Sequence, residues 1–172
     1  MVERTNYLEG CIIQSIPIYN DIRGIFYKVY PAPKTQLGRE KYPEVYISVS
    51  KAGVFRGLHY HKDDKGYEGS RRIIVLKGEI EDYLLDLRDT KRTYLKYTSL
   101  TLKEGMGIFV PRNIAHGFYA KTDCIILYHM LYAFDESKYR KISYKEIPEL
   151  CNRTDMILSE DDKSAFMLKE LL

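Results

Sequence analysis

Two of the four histidines in this chain stand two positions apart, in the stretch GVFRGLHYHKDD at 53–64. Residues i and i+2 of an extended strand project from one face, so His59 and His61 point together while Tyr60 points away. Arg56 lies just before them. Nothing apolar is gained by placing two imidazoles and a guanidinium on one inward face, so the cluster points to chemistry rather than to core packing. Two kinds are open to it: proton transfer by an imidazole that titrates near neutrality, and ligation of a metal ion by several imidazoles.

The segments that must position these groups read as strands. Apolar and β-branched runs recur between Gly, Pro and charged punctuation: CIIQSIPI, EVYISVS, RRIIVL, EIEDYLLDL, YTSLTL, GIFV and CIILYHMLY. Turns are expected at LKGE, LKEGMG and VPRN, where Gly, Pro or Asn supplies the tight conformation a hairpin needs. The pattern predicts an antiparallel sandwich or barrel. Helix is sparse: a single turn is conceivable in KTQLGREKYP, and the tail LSEDDKSAFMLKELL carries Ser159 and Asp162 in capping-box spacing before an apolar pattern, which predicts a short final helix.

Length and composition narrow the class. The 172 residues fit one domain, spanning 1–172, large enough to bury roughly two thirds of its unfolded surface. Cys11, Cys124 and Cys151 are odd in number and lack a CxxC pair, which excludes a disulfide framework and a Cys-rich zinc site and suits a reducing cytosol. The 27 basic and 24 acidic residues are interspersed, giving +3 overall and no electrostatic case for nucleic acid. MVERTNYLEG lacks the basic start and apolar core of a signal peptide, and no apolar run reaches membrane-spanning length, so a cytoplasmic protein without a membrane partner is expected. The sixteen tyrosines fit strands whose side chains have one apolar and one wet end.

The spacing is similar to the cupin signature. Gly53, five residues, His59 and His61 resemble its first half, and Gly105, Pro111 and His116 its second. The Glu of that signature is missing at its place, and Glu68 comes late. Three imidazoles from His59, His61 and His116 suit an iron, nickel or zinc ion, so a metal-dependent enzyme is one reading.

A second resemblance is more extensive. DIRGIF (21–26), GVFRGLHY (53–60), KGEIEDYLLDLR (77–88), VPRNIAHGF (110–118) and LSEDD (158–162) resemble, in order, blocks of the dTDP-4-dehydrorhamnose 3,5-epimerase family. The resemblance implies an all-β cupin-type double-stranded β-helix, a jelly-roll barrel that dimerises, acting on a nucleotide-diphosphate sugar with neither metal nor organic cofactor. Protons at C3 and C5 of a 4-keto sugar are acidic because the carbonyl stabilises the enolate. A base removes one, a cation or donor steadies the enolate oxygen, and an acid returns a proton from the other face.

The resemblance assigns His59 as the base and Asp162, which also fits a helix cap, as the carboxylate that orients it. Asp82 matches a second acidic position, or is a solvated strand residue. Arg56 and His116 correspond to groups that hold sugar and diphosphate. Arg23 would reach the diphosphate across a dimer interface, with Phe26 near the base. Arg71 stands where the family carries the lysine of the enolate oxygen, and Arg72 or Lys65 could serve instead.

Several departures bear on the chemistry. An ungapped count to the family's acidic tyrosine lands on Ala133 and Phe134, leaving Tyr128, which matches another family tyrosine, and Tyr132 as candidates. Lys28, Glu44 and Tyr46 replace residues usual at the nucleotide, which opens dTDP, CDP and GDP alike. His61 stands where the epimerases carry glutamine, and RGLHYHK and YAFDESKYRKISY resemble the related 3,4-ketoisomerases. The expectation is therefore an epimerase acting at C3, C5 or both of a 4-keto-6-deoxy sugar nucleotide, in deoxysugar and polysaccharide biosynthesis. A ketoisomerase, a three-His metal enzyme and a non-catalytic sugar-nucleotide module are the rivals.

Overall fold

Period-two alternation becomes two facing sheets in the computed structural model, which describes residues 3–15, 18–21, 24–27, 44–62, 69–131 and 135–171. The strands are β1 (Glu3–Arg4), β2 (Ile12–Ser15), β3 (Ile18–Asp21), β4 (Gly24–Tyr27), β5 (Val45–Ser50), β6 (Phe55–His61), β7 (Arg71–Lys77), β8 (Glu79–Asp86), β9 (Lys96–Lys103), β10 (Met106–Val110), β11 (Ile114–Ala120), β12 (Cys124–Met130) and β13 (Tyr139–Lys141). One sheet runs β1-β9-β8-β11-β6-β13, the other β2-β10-β7-β12-β5, and β3 pairs with β4. All pairings are antiparallel except β1 with β9. The expected turns are present: Gly78 and Gly105 adopt φ of +86° and +79°, and Asn113 adopts +53°.

Apolar side chains fill both faces of the six-stranded sheet. Ile80, Leu84 and Phe118 meet Ile73, Val75 and Ile126 of the other sheet inside the barrel. On the outer face Phe55, Leu58, Tyr60 and Leu85 are covered by Ile142, Ile147, Leu150 and Leu168 of the C-terminal segment. Each such aliphatic side chain contributes roughly 1.5–3 kcal/mol on burial, enough together to hold a polar pocket in the barrel.

The tail departs from the sequence expectation. The helix predicted there is a single turn, Glu160–Lys163, followed only by a 3₁₀ turn at Leu168–Glu170. Between them the chain extends so that Phe166 bridges Ile142, with the Ser143 N–H donating to the Phe166 carbonyl at 2.8 Å. This pairing satisfies the backbone in place of further helix. A second turn at 148–151 begins at Pro148. The segment KTQLGREKYP lies outside the described residues. No helix of the described residues is long and apolar enough to cross a membrane.

Candidate active site

The site is built on an irregularity in β6. Opposite β11, His59 faces His116 and Arg56 faces Phe118, so β6 has one residue more than its partner between these pairs. A regular strand would send residues 56 and 59 to opposite faces. The bulge restores them to one face, leaving Phe55, Leu58 and Tyr60 in the outer cluster while Arg56, His59 and His61 line a cavity between the sheets. Two glycines make it possible. A Cβ on Gly57, whose φ is +133°, would lie 2.4 Å from the Gly117 Cα, and one on Gly117 would lie 2.8 Å from the Arg56 carbonyl. The cavity holds about 570 Å³, within the roughly 300–1,000 Å³ of small-molecule sites. Another cavity, of about 630 Å³ beside Tyr60, Arg88, Lys91 and Arg112, contains no histidine, and Asp86 and Glu9 already pair with its Arg88 and Lys91.

Two imidazole–carboxylate pairs face the first cavity. His59 Nε2 lies 3.1 Å from Asp162 Oδ1, and its side chain is 29% exposed, so the ring is held yet open to a ligand. Asp162 is buried. Burial alone would raise its carboxyl, but hydrogen bonds from His59, Ser159 and the Gly57 N–H hold it below the usual carboxylate range. Ser159 Oγ donates to Asp162 Oδ2 at 2.8 Å and accepts the Asp162 N–H at 3.1 Å. Asp162 therefore completes the cap and meets the histidine at once, so the cap its spacing suggested and the contact with His59 that the resemblance implied are compatible.

His116 Nε2 lies 2.6 Å from Asp82 Oδ1, and both side chains are almost fully buried. Burial lowers the His116 pKa, against the pull of Asp82, so a neutral ring donates to the carboxylate. Asp82 is thus a fully buried residue behind His116 rather than a solvated one. Tyr128, on β12 of the opposing sheet, packs edge-on to His116 with ring centroids 6.3 Å apart. Burial, reinforced by the charge of Asp82, pushes its phenol well up, so it carries its proton at neutral pH.

Arg71 lines the cavity, but its Nη2 donates to the main-chain carbonyls of His59 at 2.8 Å and Ile114 at 3.0 Å. It staples β6 to β11 with a fixed positive charge. Arg56 keeps its guanidinium at the cavity, Nε donating to Ser50 Oγ at 3.0 Å. Arg72 is not brought to the site. On β7 it alternates with Arg71 and stands opposite Phe109 and His129, off the inner face that Arg71 occupies. Arg23, Tyr132 and Lys65 lie outside the described residues, and Phe26 is described only as backbone in β4.

The cavity lining also includes Tyr139, Lys141, Ser159 and Asp161, to which the sequence reading assigned no place in the site. Tyr139 and Lys141 stand opposite His61 and His59 in the β6–β13 register. The Tyr139 ring lies 5.5 Å from that of His59 and 5.3 Å from that of His61. Their signal was faint: YRK alternates inward, outward, inward, with a single tyrosine and no aliphatic residue to mark it as strand. Tyr46 also lines the cavity, its hydroxyl donating to the Glu44 carboxylate. For the metal reading, the described residues include no group of three His, Cys, Asp or Glu placed to hold an ion, and the Nε2 atoms of His59 and His116 each face a carboxylate.

Burial, followed by the charge of Arg71, lowers His61 from the usual 6.5 to about 4. The unfolded chain takes up a proton near 6.5 that the folded chain refuses until about 4, so this residue's contribution to stability is lost as pH falls through that window. His61→Gln is expected to reduce the slope of unfolding free energy against pH between 4 and 6.5 by up to about 1.4 kcal/mol per pH unit. Urea titrations across that range check it; an unchanged slope would assign acid sensitivity to other groups.

Two antiparallel sheets enclosing a polar cavity with carboxylate-paired histidines define a cupin-type jelly-roll protein. The sequence profile of the family "dTDP-4-dehydrorhamnose 3,5-epimerase" matches residues 5–170, and the chain belongs to that family. The dTDP-4-dehydrorhamnose 3,5-epimerase of Methanothermobacter thermautotrophicus is 34% identical over 126 residues, covering 70% of this chain and 66% of that protein. That of Neisseria gonorrhoeae is 28% identical over 105 residues, and the match spans 59% of this chain and only 31% of that protein. The crystal structure of the epimerase from Sulfolobus tokodaii is similar over 98% of this chain and 96% of its own, with 29% identity and a TM-score of 0.81.

Proposed function

We propose that this protein epimerises C3, C5 or both of a nucleotide-diphosphate-linked 4-keto-6-deoxy sugar by proton transfer through an enolate, without a metal or organic cofactor. The observation that carries the reading is the His59–Asp162 pair on one wall of the cavity with Tyr128 on the other. Inversion at carbon needs proton removal on one face and delivery on the opposite face, and facing sheets supply the two walls. His59 abstracts, Asp162 fixes its orientation and favours the imidazolium that forms, and Tyr128 returns a proton. Arg56 and His116 bind the sugar and diphosphate, Arg71 adds a fixed positive charge to the cavity wall, and Arg23 and Phe26 serve the nucleotide end. The names of the relatives favour dTDP as the nucleotide, while Glu44 and Tyr46 keep CDP and GDP in the test. A cytoplasmic homodimer fits this reading: among the described residues β5 is an edge strand that exposes Val45, Ile47 and Val49, an apolar row that a second copy would cover.

The test is incubation in heavy water with dTDP-, CDP- and GDP-linked 4-keto-6-deoxyhexoses, followed by NMR. Deuterium entering C3 or C5 with the ketone still at C4 is the expected result and identifies carbon and nucleotide. A ketone found at C3 would replace the reading with ketoisomerisation. Binding without exchange would replace it with a sugar-nucleotide module.

A further inference from the structure

Building on the epimerase reading, we infer that Lys141 is the catalytic cation that meets the developing enolate oxygen, and that Asp161 is its positioning residue. Enolisation asks for two groups at once, a base at the C–H carbon and a positive donor at an oxygen two bonds from it. Residues directly opposite each other on paired strands have Cβ atoms about 5 Å apart, so their side chains can reach neighbouring atoms of one ligand. Lys141 stands directly opposite His59 in the β6–β13 register, and both side chains line the cavity.

The tail treats the two alike. Asp162 holds His59 Nε2 at 3.1 Å, and the preceding residue, Asp161, holds Lys141 Nζ at 2.6 Å. The tandem carboxylates of LSEDD thus clamp two neighbouring cavity groups, where the sequence reading gave a task only to the second. The Lys141 ammonium also lies 5.8 Å from the centre of the Tyr139 ring, which flanks it. The two pairs differ in burial. The Asp162 side chain is 7% exposed and that of Asp161 is 77% exposed, so the ammonium is loosely held by a solvated partner and can turn to a stronger anion inside the cavity. Arg71 is less able to do this, because its Nη2 is committed to two strand carbonyls.

The C–H electron pair becomes the enolate double bond as the proton passes to the second ring nitrogen of His59, the carbonyl π pair moves onto oxygen, and the Lys141 ammonium donates to that oxygen. Reprotonation of carbon from Tyr128 reverses the electron flow on the opposite face. Solvent then takes the proton from His59 and restores that of Tyr128.

The test is steady-state epimerisation by Lys141→Gln, Lys141→Arg and Asp161→Asn on the nucleotide sugar for which the wild type exchanges deuterium. For Lys141→Gln we expect kcat about 10²-fold lower with KM within about threefold. Lys141→Arg should recover at least a tenth of wild-type kcat, and Asp161→Asn should lose severalfold in kcat with its melting temperature unchanged. A raised KM with unchanged kcat would overturn the inference and assign Lys141 to the diphosphate. Unchanged kcat and KM would overturn it by making the pair a surface contact. A wild type without exchange would remove the parent reading itself, and shows this before any substitution is made.

Discussion

Replacing His59 with Asn is expected to leave a folded barrel whose kcat falls about 10³-fold or more and which no longer moves deuterium into C3 or C5. The size follows from the position. No other imidazole of the cavity combines a carboxylate partner with an open ring: His116 donates to the buried Asp82 and is only 6% exposed, and His61 is 3% exposed with its pKa lowered to about 4. The fold should survive because His59 belongs to the cavity wall rather than to either apolar cluster. Asp162 would keep its bonds to Ser159 and can accept from the new amide. The melting temperature is therefore expected to shift by only a few degrees. Circular dichroism, a thermal melt and NMR exchange on one preparation decide the matter. Exchange at more than a tenth of the wild-type rate would transfer the base to another group.

Most of the architecture was legible because it rests on local rules. The runs RRIIVL, EIEDYLLDL and CIILYHMLY became β7, β8 and β12, and the glycines of LKGE and LKEGMG adopt the positive φ that tight turns demand. The cap at Asp162 was also readable, and its contact with His59 is compatible with it, since a cap and a cavity carboxylate compete only if the helix turns away from the barrel. What escaped depends on contacts between distant segments. Nothing near Gly57 announces that Gly117 will press against it, so the bulge that brings Arg56 and His59 to one face was invisible to alternation. The burial of Asp82 against His116 comes from a register between β8 and β11. Tyr139 and Lys141 sit on a three-residue edge strand, too short and too polar for periodicity to detect. Arg72 was the reverse case: alternation with Arg71 already placed it on the other face, and resemblance had overridden that rule.

The choice of acid yields the other large effect, one in kind as well as in rate. Tyr128→Phe is expected to keep deuterium exchange at the substrate's own configuration while formation of the epimer falls about 10²–10³-fold. His59 and Asp162 stand on the six-stranded side and are untouched by the change, so a proton still leaves and a deuteron from solvent can return by the same face. Only delivery from β12 is lost. The phenol suits that task because burial and the nearby Asp82 keep it protonated, while Arg56 and Arg71 oppose that shift and would ease the passing phenolate. A Phe ring also preserves the edge-on contact with His116, so a change in product cannot be blamed on collapse of that wall. Separate measurement of exchange and of epimer, in one NMR time course, distinguishes an acid from a binding group, since loss of binding would lower both together. Epimer formed at the wild-type rate would exclude Tyr128, and Tyr132 would be the next phenol to replace.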